Sequence, residues 1–286
     1  MFETQEKITD LEKNLRALKQ PPEVIPNTVV LTQKAHCEQH GLYERRVRQF
    51  RLMSGFETHS TCPGCIQDNL EALRQAQKKN EKRRAEQQII DLMRRLNLPP
   101  RFQSATLNHF EPVNHHAAHC LKVCQAYAHQ WPERRQQGGG IVMCGKPGTG
   151  KTHLALGIAQ HIIRTYQSSV LFTSALHLMR VFKSTWTQAS QKTEAEVVQT
   201  YTSPDLLIID EIGVQFGSDA EKMILFDLIN SRYETMKPTF LLSNLPKDAL
   251  PQFLGERVMD RMNEGEAAPW CLPGTVTGRK KAPLTL

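Results

Sequence analysis

The eight residues Gly145, Lys146, Pro147, Gly148, Thr149, Gly150, Lys151 and Thr152 constrain this chain more than any other stretch. They fit G-x-x-x-x-G-K-[ST], a loop whose backbone N–H groups curl around phosphates. Glycine is required there because side chains would block the approach. Lys151 brings a positive charge to the terminal phosphates of a nucleotide, and the Thr152 hydroxyl is a hard oxygen suited to magnesium. The flanks agree with the motif. Residues 140–144 are an apolar run that reads as a buried strand, and 152–166 sets Leu154, Ile158 and Ile162 at helical spacing. Strand, glycine loop, helix is the order that places a helix N-terminus against an anion.

A second apolar run, Leu206 to Ile209, ends in two carboxylates, Asp210 and Glu211. A run of this kind reads as a strand buried on both faces. At its tip Asp210 is expected to hold the water shell of magnesium, and Glu211 to orient or deprotonate an attacking water. Further strands are expected at 169–173 and 239–244, and helices at 175–186, 194–201 and 219–233. Strands alternating with helices predict an α/β fold with a parallel sheet, whose ligands bind at strand C-termini.

The first hundred residues have a different character. Residues 1–20 carry Ile8, Leu11, Leu15 and Leu18 at helical spacing, and Pro21, Pro22 and Pro26 follow. Two knuckles come next, Cys37-x-x-His40 and Cys62-x-x-Cys65. Three thiolates and one imidazole are a ligand set for tetrahedral zinc, and the 42–59 interval has the length of a short hairpin. His36 and His59 break the two-residue spacing and are left out of the set. So small a cluster has too little core to fold without its metal. Residues 66–98 lack Gly and Pro and read as one long helix, or two, with Lys78, Lys79, Lys82, Arg83 and Arg84 in the middle. That basic run is either a solvated face or a nucleic-acid contact. Leu98-Pro99-Pro100 ends the helix and marks the domain boundary. His115, His116, His119, Cys120 and Cys124 are read as ordinary helix surface, since no second knuckle completes a metal set. The expected layout is therefore an amphipathic helix and Pro-rich linker (1–29), a zinc knuckle domain (30–70), a basic helix (71–100), a nucleotide-binding core (101–265), and a C-terminal strand with a basic tail (266–286).

Composition narrows the function classes. No run of 18 apolar residues occurs and the N-terminus is densely charged, so a soluble, cytoplasmic protein without a membrane partner is expected. Seven cysteines fit a reduced compartment better than a disulfide framework. A net charge of +7 favours a polyanionic partner, nucleic acid before others.

GKPGTGKT at 145–152, LLIIDEIG at 206–213, LLSNL at 241–245 and LGERVMDRM at 254–262 together resemble the DnaC/IstB branch of AAA+ ATPases. Within it the chain is similar to DnaC-type replicative helicase loaders, including those of phages and prophages. The resemblance covers roughly 100–265 and implies an AAA+ P-loop αβα sandwich, with ATP and Mg2+ bound between subunits of a homo-oligomer. It makes Asp210 and Glu211 the Walker B pair and Asn244 the sensor of the γ-phosphate. Arg257 and Arg261 fall in the segment that supplies an arginine finger to the next subunit, and Arg261 is the favoured candidate. The implied partners are a DnaB-type hexameric helicase and single-stranded DNA. The DNA would run along the helical insertion that holds Arg180, Phe182 and Lys183; Trp186, at helical spacing with Met179, is read as core rather than as a stacking platform. The zinc knuckles resemble the amino-terminal domain of several phage-type loaders, where that domain meets the helicase. The sensor arginine that related loaders carry after their last strand has no clear counterpart, since none occurs until Arg279. Two alternatives stay open: an IstB-like transposition helper acting on duplex DNA, and an ATP-switched scaffold that scarcely hydrolyses.

Overall fold

The computed structural model describes residues 2–51, 55–186, 192–213, 218–264 and 270–271. The chain divides into two units, Met1–Glu86 and Gln87–Leu286.

In the first unit, helix α1 (Phe2–Lys19) precedes the antiparallel hairpin β1 (Thr28–Cys37) and β2 (Gly41–Phe50), and β3 (Glu57–His59) pairs with β2. The hairpin closes at the Cys37↔Gly41 pair. Gly41, at φ 72°, takes the left-handed conformation that this closure needs. Helix α2 (Pro63–Arg95) follows as one uninterrupted helix. The apolar core is small, with Ile8, Val47, Ile66 and Leu70 buried. Polar contacts supplement it: Arg46 donates to the carbonyls of Ala17 (3.0 Å) and Leu18 (2.9 Å), satisfying acceptors that the last turn of α1 leaves open. The expected hairpin at 42–59 is thus larger than anticipated, since its first strand lies ahead of the knuckle and Cys37 sits at the tip.

The second unit begins inside α2 rather than at Pro99, because Leu92 and Leu96 are already part of its core. Helices α3 (His115–His129) and α4 (Trp131–Gln137) lead to β4 (Ile141–Cys144) and α5 (Lys151–Tyr166). Then come β5 (Val170–Ser174), α6 (Ala175–Ser184), α7 (Glu194–Thr202), β6 (Leu206–Ile212), α8 (Asp219–Glu234) and β7 (Thr239–Ser243). Helices α9 (Leu250–Leu254) and α10 (Glu256–Glu264) and a short β8 (Trp270–Cys271) complete the described chain. The sheet runs β5-β6-β7-β4-β8 with every pairing parallel. Strands β4, β6 and β7 carry continuous apolar runs because both faces are covered: Ile141, Met143, Leu206, Ile208, Phe240 and Leu242 enter one core, and their alternate neighbours Val142, Cys144, Leu207, Ile209 and Leu241 enter the other. The α/β sandwich expected from the sequence is present. No described helix is long and apolar enough to cross a membrane.

His115, His116 and His119 are exposed on α3, but Cys120 and Cys124 are core residues rather than helix surface. Burial pushes the Cys124 thiol up to about 12, which leaves it an inert apolar filler. At the opposite end of the sheet from the phosphate loop, Arg232 is fully buried. It donates to the carbonyls of Tyr201, Thr202, Pro204, Asp205 and Pro238 and to the Thr239 hydroxyl. Those acceptors lie where β6 and β7 start, so one guanidinium ties both strand entries together.

Candidate functional site: a nucleotide loop and a cysteine–histidine cluster

The phosphate loop spans the turn from β4 into α5, and two of its glycines are conformationally necessary. Gly148 and Gly150 hold φ of 83° and 89°, and Gly150 is the N-cap of α5. A Cβ on Gly150 would also lie 2.6 Å from the ring of Phe110. A further close approach occurs along α5, where a Cβ on Gly157 would meet the backbone nitrogen of Leu107 at 3.0 Å. His153 reaches the carbonyl of Thr106 at 3.0 Å. The segment 105–110 therefore braces the loop and its helix. Sequence reasoning missed that role, although a glycine inside a helical pattern was its available signal.

Lys151 is buried and folds back over its own loop. Its Nζ donates to the carbonyls of Gly145 (2.8 Å) and Lys146 (3.1 Å), to Thr149 Oγ1 (3.3 Å), and to Asn244 Oδ1 (3.0 Å). Desolvation lowers its pKa, while the negative charge of Asp210 opposes that shift. Thr152 Oγ1 donates to Asp210 Oδ2 at 2.7 Å, and Asp210 Oδ1 accepts the Glu211 N–H at 2.7 Å. Five residues proposed from sequence (Lys151, Thr152, Asp210, Glu211 and Asn244) thus meet at the C-terminal ends of β4, β6 and β7. Thr152 and Asp210 present the adjacent hard oxygens that magnesium requires.

Glu211 has a feature that its sequence does not show. It is a non-glycine residue at φ 62°, and the β6–β7 register shifts between Ile209 and Ile212. An irregularity of this kind re-aims a side chain, and here it leaves Glu211 exposed at the strand end.

The remaining candidates divide. Arg257 and Arg261 stand one turn apart on α10, whose Val258, Met259 and Met262 face the core. Their guanidinium carbons lie 5.9 Å from the Phe226 ring and 4.4 Å from the Tyr233 ring, both on α8. On α6, Arg180 is exposed, but Phe182 is buried and stacks on Tyr201 with centroids 6.2 Å apart. Phe182 is therefore withdrawn as a base-stacking residue. Lys183 is paired with buried Glu221 at 2.8 Å, which neutralises it. The expectation for Trp186 is reversed as well. The helix ends at Ser184, so the indole turns outward and is 57% exposed. Arg279 lies outside the described residues.

In the first unit, the ligand atoms of Cys37, His40, Cys62 and Cys65 all fall within 4.8 Å of one another. The hairpin tip supplies two of them, and the other two flank the N-terminus of α2. Cys37 Sγ is 3.4 Å from Cys65 Sγ and 3.6 Å from His40 Nδ1, and Cys65 Sγ is 3.5 Å from that nitrogen. Bond lengths of about 2.3 Å to sulfur and 2.0 Å to nitrogen, in a tetrahedron, separate ligand atoms by roughly 3.5–3.8 Å. The donor set and its spacing fit zinc. The His40 ring holds the Cys37 thiol down to about 6, and the Cys37 sulfur raises Cys65 to about 11. Between those values the pair keeps a single proton.

A family model described as IstB-like ATP binding protein matches residues 64–262, more than half of the chain. The chain belongs to this family. As an IstB-like ATP-binding protein it carries a phosphate loop on a parallel α/β sheet. A relative named replicative helicase loader DnaC, from Buchnera aphidicola subsp. Acyrthosiphon pisum, is 37% identical over 147 residues, 51% of this chain and 58% of the relative. Its namesake from Escherichia coli K12 is 38% identical over 127 residues, 44% of this chain and 51% of that protein. The IstB-like chain thus spans little more than half the length of these curated relatives. The crystal structure of the DnaC helicase loader superposes with a TM-score of 0.54 at 23% identity, covering 61% of this chain and 98% of that one, and it shares the fold.

Proposed function

We propose that this protein is an ATP-dependent replicative helicase loader. In this reading its second unit binds ATP with Mg2+, oligomerises and holds single-stranded DNA, while its zinc-bearing first unit engages a DnaB-type hexameric helicase. The observation that carries the reading is the single cluster of Lys151, Thr152, Asp210, Glu211 and Asn244, in a chain whose relatives are named helicase loaders.

The residues divide the work. The loop N–H groups and Lys151 hold the phosphates, and Asn244 links Lys151 to the end of β7, where a γ-phosphate can be sensed. Magnesium, when held by Thr152 and Asp210, supplies charge neutralisation for the β- and γ-oxygens. Glu211 accepts the proton of the attacking water. Arg261, with Arg257 as the second candidate, approaches the phosphates of a neighbouring subunit, so hydrolysis waits for assembly. Arg180 and Trp186 offer a cation and an aromatic face to single-stranded DNA.

The test is ATP turnover with and without single-stranded DNA and a DnaB-type helicase. The loader reading expects a stable helicase complex and DNA-stimulated turnover that disappears in Lys151→Ala. Stimulation by duplex DNA without a helicase complex would instead indicate a transposition helper. Nucleotide binding with no turnover under any condition would leave the switched scaffold.

A further inference from the structure

The two nitrogens of His40 face different partners. Nδ1 lies among the cluster sulfurs, and Nε2 lies 3.1 Å from Oδ2 of Asp68. Asp68 stands on α2 three residues after Cys65, close to one helical turn on. Gly64 packs directly against the ring, where an added Cβ would come within 2.3 Å of His40 Cδ2, 2.5 Å of Cγ and 2.8 Å of Nε2. The imidazole thus packs against the bare backbone of Gly64 and meets a carboxylate at its outer nitrogen.

Imidazole ligands commonly donate their second N–H to a carboxylate, which fixes the tautomer, orients the ring and raises its basicity toward the metal. We infer that Asp68 is a positioning residue of the zinc site: its carboxylate accepts the Nε2–H of His40 and leaves Nδ1 as the ligating nitrogen, while Gly64 provides the space for the ring. This inference rests on the zinc reading of the cluster. It explains why α2 begins where it does, since its first two turns supply Cys65, Gly64 and Asp68 together.

The experiment is a zinc competition titration on the full-length chain, comparing wild type, Asp68→Asn, Asp68→Ala and Glu71→Gln. Glu71 is an exposed acid on the same helix and serves as the charge control. The expected result is one zinc per wild-type chain, a fall of about 10–100-fold in affinity for both Asp68 variants, and no change for Glu71→Gln. Long-range 15N–1H spectra of the zinc-loaded wild type should show His40 protonated at Nε2. Circular dichroism checks that the zinc-loaded variants retain wild-type helix content. Wild-type zinc binding with Asp68 variants of unchanged affinity, or His40 protonated at Nδ1, would overturn the positioning role while leaving the metal site intact. Absence of zinc from the wild type would remove the metal reading itself, and this inference with it.

Discussion

The backbone of Glu211 allows strain and chemistry to be separated by mutation. At φ 62° an L side chain costs about 1–2 kcal/mol that glycine does not incur. Glycine gives back about 0.5–1 kcal/mol through its freer unfolded state. Glu211→Gly should therefore exceed Glu211→Ala in stability by roughly 0.75 kcal/mol, the difference between the midpoints of those ranges. In a unit of this size that corresponds to about 1–4 °C in melting temperature. The Glu211 side chain is exposed and its N–H bond to Asp210 survives both changes, so burial and hydrogen bonding do not confound the comparison. Turnover should behave differently, falling about 10²–10⁴-fold in the Gly, Ala and Gln variants alike, because each removes the proposed proton acceptor. Thermal unfolding and single-turnover hydrolysis measure the two effects independently. A Glu211→Ala variant at least as stable as Glu211→Gly would refute the strain, and full turnover in Glu211→Gln would refute the role.

Other substitutions probe other parts of the chain. Arg232→Met removes a buried cation from five carbonyls and a hydroxyl, and should cost about 3–5 kcal/mol, or roughly 6–20 °C in melting temperature. Nucleotide affinity measured well below the transition should stay near wild type, since those contacts lie at the far end of the sheet. Cys62→Ser with Cys65→Ser should abolish stoichiometric zinc and helicase binding while sparing nucleotide binding; zinc retained at one equivalent would sink the ligand assignment. Arg261→Ala should keep ATP affinity within about twofold yet reduce assembly-stimulated turnover about 10³-fold or more. Normal turnover in that variant would move the finger to Arg257.

The second unit was legible because its signals are local and redundant. Strands buried on both faces must be continuously apolar, and the runs at 141–144, 206–209 and 240–242 are each too short to form a buried helix. Strand β1 was not legible. Thr28–Cys37 mixes polar and apolar residues on a thinly covered sheet, and its pairing is dictated by the turn at Gly41 rather than by burial. The readings of Phe182 and Trp186 changed for a related reason. Leu178, Met179 and Phe182 form the buried stripe, and extrapolating its period assigned Trp186 to the core. The period carries no information beyond Ser184, where the helix stops.

What the sequence could not express is the linkage within the nucleotide site. Asp210 uses one oxygen for Thr152 and the other for the backbone of Glu211, so the residue that would hold the cation also fixes the peptide that aims the base. Neither contact is periodic, and the second depends on a register shift visible only once β6 and β7 are paired. The consequence is mechanical. A cation held between Thr152 and Asp210 would act on the carboxylate that restrains the Glu211 peptide, and Asn244 accepts from Lys151 beside the adjacent strand. In the proposed reading, phosphate binding, cation binding and placement of Glu211 would be coupled rather than independent. The proposed arginine finger stands outside it, against the aromatic rings of α8, on the separate helix that a neighbouring subunit would receive.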